Sequence, residues 1–499
     1  MVSEPKGPAT GALKILSGHT LIYLLGSLAA KVAAFLLLPI FTPLFTPDEF
    51  GILALTDATI SLLLQFVGLK LDTAMTRHYF ESDDEEGRKL VVSTAFLAMA
   101  ALSLLAAALV YFSADWLALV MPSEKPEILK GALRWVALIL AAMLMTEMPL
   151  AVLKAQRRSI AAVSWQLGRL ALEVTAKIVL VVSFGLGVFG VLSGQAFAAV
   201  IFLLGFTVWL IRRHGLRFDP TLLRSMVAYS APMILAGICG FLLHSVDRFM
   251  MPSLVSMHAL GLYDVGYKFG SAMTALVLGP FLFIWYPFIF SLKDEEKRRE
   301  VISNAALHTP TVLVAMSLPV ALLAPEIIRL LTDPKFHGAW IYIPIVLFSY
   351  LFWGLFQIIQ MPFYVHKRTG DLPRVVGAAA LLNIVLNFAL MPLMGAMGAA
   401  LATLAALVFL AAVGRRAANR LELIPIDWGR IGKLGLVCAV AAGAIHLVPL
   451  EAALSLPLRL ATLILGLAYL AGPFLTRRER AQLRELLSAI RSGRRPFGN

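Results

Sequence analysis

Charge is what this sequence has least of. Of its 499 residues only 15% are charged, 59% are hydrophobic, and the mean hydropathy is +0.83. A soluble domain carries about 25% charged and about 45–50% apolar residues. So few charges cannot cover the surface of a soluble fold of this size, which leaves lipid as the solvent for most of the chain. Cysteine is also scarce: Cys239 and Cys438 both sit inside apolar runs, which excludes a disulfide framework and a cysteine-ligated metal. The strings G-x-x-x-x-G-K-[ST], H-E-x-x-H and G-x-S-x-G do not occur, so no ATP site, zinc-protease site or nucleophile elbow is visible and no cofactor is expected. Gly185-Leu186-Gly187-Val188-Phe189-Gly190 spells a dinucleotide fingerprint. It has neither a preceding strand nor a following acid, and it reads as a tight turn between membrane helices. The acidic run Ser82–Glu86 reads as a solvated loop, since carboxylates in a row rarely converge on one ion.

What the chain does have is long apolar runs. A spanning helix needs about 20 apolar residues. By that measure fourteen stretches qualify, centred from Lys31 to Ile464, the last two being the shortest. A polar leader precedes the first run, Leu21–Phe41, which is expected to stay as an anchor and not to be cleaved. The net charge of +13 invites a nucleic-acid reading, but the basic residues cluster in every second loop. The intervening loops hold only Lys125, Lys130, Arg329 and Lys335. The positive-inside rule then places both termini in the cytoplasm. The outward loops, the longest being Ser113–Glu127 and Pro325–Trp340, are too short to form domains. The basic tail from Arg477, with Leu483, Leu486, Leu487 and Ile490 at helical spacing, reads as an amphipathic helix on an anionic leaflet.

Three matches recur at nearly one shift. Met148–Lys154 resembles Met361–Lys367, Phe50-Gly51-Ile52 resembles Leu260-Gly261-Leu262, and Gly187 and Gly190 match Gly395 and Gly398. The shift spans six helices, an even number, so both copies face the same way. The fold class expected is therefore an all-α polytopic membrane protein with about 14 transmembrane helices, built as two pseudo-symmetric six-helix lobes plus two C-terminal helices. The units are residues 1–215, residues 216–420, helices 13 and 14 in residues 421–476, and the tail 477–499.

Ionisable residues in mid-membrane are costly and normally face a cavity or a partner. Lys31, Asp57, Arg134, Glu147, Arg169, Glu173, Lys177, Asp247, Arg248, Asp264 and Lys268 fall inside the expected spans. Arg169, Glu173 and Lys177 stack at i, i+4 and i+8, as do Asp264 and Lys268 at i and i+4, spacings that allow self-neutralising ladders. Lys31 has no acid one turn away, so its counter-charge is either an anionic substrate or Asp57. Gly237, Gly240, His244 and Arg248 share a stripe beside Asp247. That stripe either widens a cavity lined by His244 and Arg248, or packs helices closely while Arg248 snorkels outward. His244 near Asp247 reads either as a proton-coupling pair or as an ordinary hydrogen-bonded histidine. Seven prolines, among them Pro149, Pro280 and Pro362, interrupt spans and are expected to kink them.

Several stretches resemble the oligosaccharide (O-antigen and polysaccharide) flippases of the multidrug/oligosaccharidyl-lipid/polysaccharide exporter superfamily. They are Leu36-Leu37-Leu38-Pro39-Ile40 with Leu44-Phe45-Thr46-Pro47-Asp48-Glu49-Phe50-Gly51, Leu71–Phe80, Val246-Asp247-Arg248-Phe249 with Gly261-Leu262-Tyr263, and Asn383–Thr403 with Asn387, Pro392, Gly395 and Gly398. The resemblance implies a bacterial inner-membrane protein moving a polyprenyl (undecaprenyl) pyrophosphate-linked oligosaccharide to the periplasmic face for surface polysaccharide such as lipopolysaccharide O-antigen or exopolysaccharide. Other polysaccharide-assembly proteins and membrane lipids would be its partners, and nucleic acid would not.

The resemblance also implies that helices 1, 2, 7 and 8 line the cavity. Lys31, Asp57, Arg248 and Lys268 are then candidates for substrate binding, and His244, Asp247 and Asp264 for ion or proton coupling, while the ladder on the fifth helix lies outside. A cation-coupled drug exporter of the same superfamily is the alternative, and a membrane-embedded polysaccharide polymerase or ligase a more distant one, since it would need a larger outward loop.

Overall fold

The computed structural model describes Gly26, Ala29 and residues 32–156, 158–446, 455–477, 479 and 480. Lys31 and the expected amphipathic tail beyond residue 480 lie outside the described residues. Among the described residues there is no strand. The helices are α1 (Val32–Phe41), α2 (Pro47–Val67), α3 (Leu71–Glu81), α4 (Glu85–Val120), α5 (Pro126–Ala155) and α6 (Ser159–Ile178). They continue as α7 (Gly187–His214), α8 (Pro220–Leu254), α9 (Met257–Met273), α10 (Gly279–Ser291), α11 (Glu295–Leu322) and α12 (Ala324–Leu331). The last are α13 (Ile343–Ile359), α14 (Leu372–Met394), α15 (Ala396–Ala418), α16 (Trp428–His446) and α17 (Ser455–Ala471).

Eleven helical segments are long and apolar enough to cross a bilayer. The expected spans near Lys31, Glu173 and Ile464 are the three that fall short. α1 is described only from Val32, α6 carries three charges, and α17 has 17 residues. The molecule is thus an all-helical, multi-pass membrane protein.

Local sequence explains where helices begin. Thr46-Pro47-Asp48-Glu49 is a capping box: the Thr46 N–H donates to Glu49 Oε2 (2.8 Å) and the Glu49 N–H to Thr46 Oγ1 (3.3 Å), with Pro47 in the first turn. Asp219 before Pro220 and Asp294 before Glu295 each accept two backbone N–H groups in the same way. The repeated glycines also do matching work. Gly187 (φ 54°) and Gly395 (φ 60°) make the turns into α7 and α15 in a conformation that disfavours a Cβ. Gly190 and Gly398 each bring the following helix against the backbone of the preceding one, at Leu180 and Leu390.

The helices before His214 pack mainly among themselves, α4 on α5 and α7 on α5 and α6. Those after Pro220 do likewise, α14 on α15 and α8, and α13 on α11 and α15. The two groups meet at both ends. At the end with few basic residues, α2 crosses α9 with almost no separation. A Cβ on Gly261 would stand 1.8 Å from the Pro47 carbonyl oxygen, and one on Gly51 would stand 2.2 Å from that of Met257. Around this crossing Asp48 meets His258 (3.2 Å), Thr42 Oγ1 accepts from the Asp333 N–H (3.0 Å), and Phe50 packs edge-on against Phe336. At the basic end His78 Nε2 meets Ser225 Oγ (3.0 Å) and the Arg77 guanidinium lies 4.2 Å over Tyr229, joining α3 to α8.

The two sequence-matched glycines, Gly51 and Gly261, therefore face one another at the α2–α9 crossing. Gly261→Ala is expected to destabilise the purified protein by roughly 1–3 kcal/mol through overpacking. Gly240→Ala, which would meet open space, should stay within about 0.5 kcal/mol. Thermal melts of the two variants check this.

Candidate functional site

Beneath the α2–α9 crossing lies a charged cluster. Asp57 sits ten residues into α2, about 15 Å along the helix from Pro47. Its neighbours Ala54, Leu55, Thr56, Ala58, Thr59 and Ile60 are all buried, whereas Asp57 itself is exposed. An exposed carboxylate at that depth faces an open space between helices. The charges whose fields reach it are Lys177, Lys268, Asp264 and Glu173, so α2, α6 and α9 all present charge to that space.

On the other wall Arg248 is the hub. Its backbone N–H donates to Asp247 Oδ1 (2.9 Å), its Nη1 lies 3.4 Å from the same oxygen and donates to the His244 carbonyl (3.1 Å), and its Nε lies 3.5 Å from Asp264 Oδ1. The guanidinium stacks 4.2 Å over the Tyr267 ring. Lys268 donates to the other oxygen of Asp264 one turn earlier. Tyr263 closes the far side, its hydroxyl donating to Asp247 Oδ2 at 2.6 Å, and Tyr350 of α13 donates to the Tyr267 hydroxyl at 2.9 Å. Arg248 therefore turns into the protein instead of snorkelling outward.

His244 does not touch Asp247, whose oxygens are taken by Tyr263 and Arg248. Its ring stacks on Tyr350 and meets Trp353 edge-on, with both nitrogens buried and without a hydrogen-bond partner among the described residues. Gly237 faces Gln65 Oε1 across the interface, and Gly240 faces open space.

The ladder on α6 is split. Lys177 donates to Glu173 (2.7 Å), and both act on Asp57, so this pair belongs to the charged space from which the sequence pattern had left it out. Arg169 does not join them. It lines a separate cavity of about 410 Å3 nearer the basic end, with Glu147, Lys154, Gln166 and Trp165. Arg134 lies toward the opposite end, against Asp115 (3.4 Å).

The sequence pattern also passed over Tyr263, Tyr267 and Tyr350. The first two stand one turn apart on α9, in step with Asp264 and Lys268, which is a signal available in the sequence; Tyr350 has none. A further unrecognised charge, Arg459 in α17, is fully enclosed and bonds both Glu326 oxygens (2.9 and 2.7 Å), tying the last described span to α12.

The family described as "Polysaccharide biosynthesis protein" matches residues 40–340, which cover the α2–α9 crossing, the charged cluster and the Arg169 cavity. The chain belongs to that family. No curated protein matches it at a significant level. Among solved structures, the lipid II flippase MurJ in an inward closed conformation aligns with a TM-score of 0.66 at 15% identity, covering 92% of this chain and 98% of that one.

An inward-facing multidrug resistance MATE family transporter of the MOP superfamily aligns at 0.59 and 15% identity over 84% of this chain and 96% of its own. A MATE protein in the straight conformation gives 0.58 and 14% over 85% and 97%. At these identities the likeness is one of fold.

The hub makes a direct prediction. Tyr263→Phe strips one bond from a carboxylate that is only 2% exposed, and should cost about 1–3 kcal/mol. Tyr111→Phe, remote from the cluster, serves as the reference in the same thermal melts.

Proposed function

We propose that this family member is a flippase for polyprenyl (undecaprenyl) pyrophosphate-linked oligosaccharide repeat units, carrying them from the cytoplasmic to the periplasmic leaflet of a bacterial inner membrane for surface polysaccharide synthesis. The observation that carries the proposal is Asp57, an exposed carboxylate at mid-depth facing a charged space between two helix groups. Lipid-linked sugar has a polar head that cannot cross hydrocarbon and a tail that need not leave it. A polar space opening alternately toward each leaflet suits such cargo. In this reading residues 1–215 and 216–420 rock about that space, residues 421–476 flank the second half, the tail 477–499 lies on the inner leaflet, and the Gly51–Gly261 crossing is the closed outer gate. The basic end faces the cytoplasm, following the charge asymmetry of the loops.

Lys268 and Arg248 are the proposed headgroup contacts. Lys268 is the more open of the two, its side chain 33% exposed against 11%. A phosphate oxygen arriving at Lys268 competes with Asp264 for the same ammonium group, and Arg248 then redistributes between Asp264 and Asp247. That exchange offers a link between occupancy and the packing of α8 on α9. Asp57, Asp247 and Asp264 are the acids available for ion coupling, with His244 and its unpartnered ring beside them. Lys31 belongs to the same proposal by resemblance alone.

One observation favours the second reading, a cation-coupled exporter. The charged space carries four acids (Asp57, Glu173, Asp247, Asp264) against three bases (Lys177, Arg248, Lys268) among the described residues. Two measurements separate the readings. Deleting the gene should make lipid-linked repeat units accumulate, detected by mass analysis of lipid extracts, with no change in resistance to cationic dyes. Asp264→Asn should reduce complementation of that deletion at least about tenfold at matched protein levels. Unaltered lipid-linked glycans together with dye sensitivity would reverse the choice.

A further inference from the structure

The charge surplus missing from the central cluster is found elsewhere. The charges acting on Glu147 are Lys154, Asp72, Arg169 and Lys70, so three bases face two acids in this region of the first helix group. Lys154 and Arg169 line the 410 Å3 cavity, and neither forms an ion pair among the described residues. Lys154 is exposed at the end of its helix, Arg169 is partly buried, and Glu147 shares the cavity, so an anion entering it meets two accessible cations and one acid. Lys70 approaches from α3's start, where the chain between α2 and α3 is held in an unusual conformation. Leu69 (φ 45°) and Lys70 (φ 51°) are consecutive non-glycine residues in the left-handed region. Such strain persists where the surroundings over-determine it, commonly at functional positions.

The cavity also has an apolar extension. A groove of about 420 Å3 runs between α6 and α7 past Ser164, Ile201 and Gly205, and it shares Trp165 and Phe202 with the cavity. Gly205 is what lets Trp165 lie flat there, since a Cβ would stand 3.0 Å from the indole. Trp165 is braced from behind by stacking on Phe206 at 3.9 Å. Ile201 faces outward, 42% exposed on the apolar flank of the bundle. A cationic chamber therefore opens past an aromatic doorway into a single apolar slot that reaches the lipid-facing side. Both lie in the half of the bundle nearer the basic loops, since Lys154 is one residue from the end of α5 and Trp165 only six into α6.

We propose that chamber and slot form a docking site for a lipid with a diphosphate head and one long isoprenoid tail. Lys154 and Arg169 hold the diphosphate, and the tail leaves past Trp165 and Phe202 along Ile201. The site rests on the flippase reading and deepens it: the head is captured here on the basic side before it reaches the acid-rich central cluster. Charge complementarity selects the anionic head, and one slot between two helices selects a single tail over the paired chains of a phospholipid. Arg169, set at i−4 from Glu173, is thus released from the ladder for a ligand.

The test uses the full chain in phosphatidylcholine nanodiscs with radiolabelled undecaprenyl diphosphate. Wild type should bind it, and Lys154→Gln/Arg169→Gln should bind at least about tenfold more weakly, whereas Arg169→Lys should retain most of the affinity. Ile201→Trp, which fills the slot, should weaken the lipid but leave inorganic pyrophosphate, a poor competitor, unchanged. Thermal melts identify any variant that fails to fold, and Arg169→Lys with Ile201→Trp then carry the test.

Equal binding by wild type and the double variant overturns the site. So does competition by phosphatidylglycerol or inorganic pyrophosphate as strong as that of the lipid. Loss of binding in Arg248→Gln alone, with the pocket variants intact, overturns this site but leaves the flippase reading standing. No binding by wild type overturns both.

Discussion

A buried charge needs a partner, and in this molecule that requirement organises the interior. Removing Arg248 from water is affordable only because Asp247 and Asp264 flank it and the Tyr267 ring covers its face. Those partners lie on α8 and α9, so the same contacts that neutralise the cation fix how the two helices meet. Tyr263 and Tyr350 complete the arrangement by occupying the remaining oxygens. Arg459 applies the same logic near the end of the described chain, where this buried cation reaches the partly exposed Glu326 and ties α17 to α12.

Where the requirement is left unmet, the molecule is open. Asp57 is exposed at mid-depth, and Lys154 and Arg169 form no ion pair among the described residues, with Glu147 the one acid that lines their cavity. The two regions differ in sign. The space between the helix groups is rich in acids, and the chamber near the basic end is rich in bases. In the proposed flippase reading, an anionic headgroup held first by surplus cations and then passed to a site where it must compete with carboxylates would meet successively weaker attraction. That gradient allows release as well as capture, which transport requires and simple binding does not.

The closed end is built differently. The α2–α9 crossing depends on shape, since two glycines from matching positions of the repeat allow carbonyl groups to approach where a methyl group would not fit. A contact of this kind has little latitude. It is either seated or apart, which is what the proposed gate requires.

Much of this was legible in residue patterns. Apolar run length located eleven of the fourteen expected spans, and Gly187 and Gly395 stand at the turns into α7 and α15, because these features depend on neighbours close in sequence. The same patterns identified Asp57, Asp247, Arg248, Asp264 and Lys268 as out of place in a membrane. Their pairing was not legible. The i, i+4 rule joined Lys177 to Glu173 and Lys268 to Asp264 correctly, yet it also assigned Arg169 to a ladder it does not join, and proximity in sequence suggested a His244–Asp247 contact that Tyr263 and Arg248 displace. Helix periodicity settles which residues share a face; which other helix that face meets depends on packing among segments far apart in the chain. The sequence alone determined that these charges must be answered inside the bundle. Only the tertiary structure decided by what, because an electrostatic partner is chosen by distance in space.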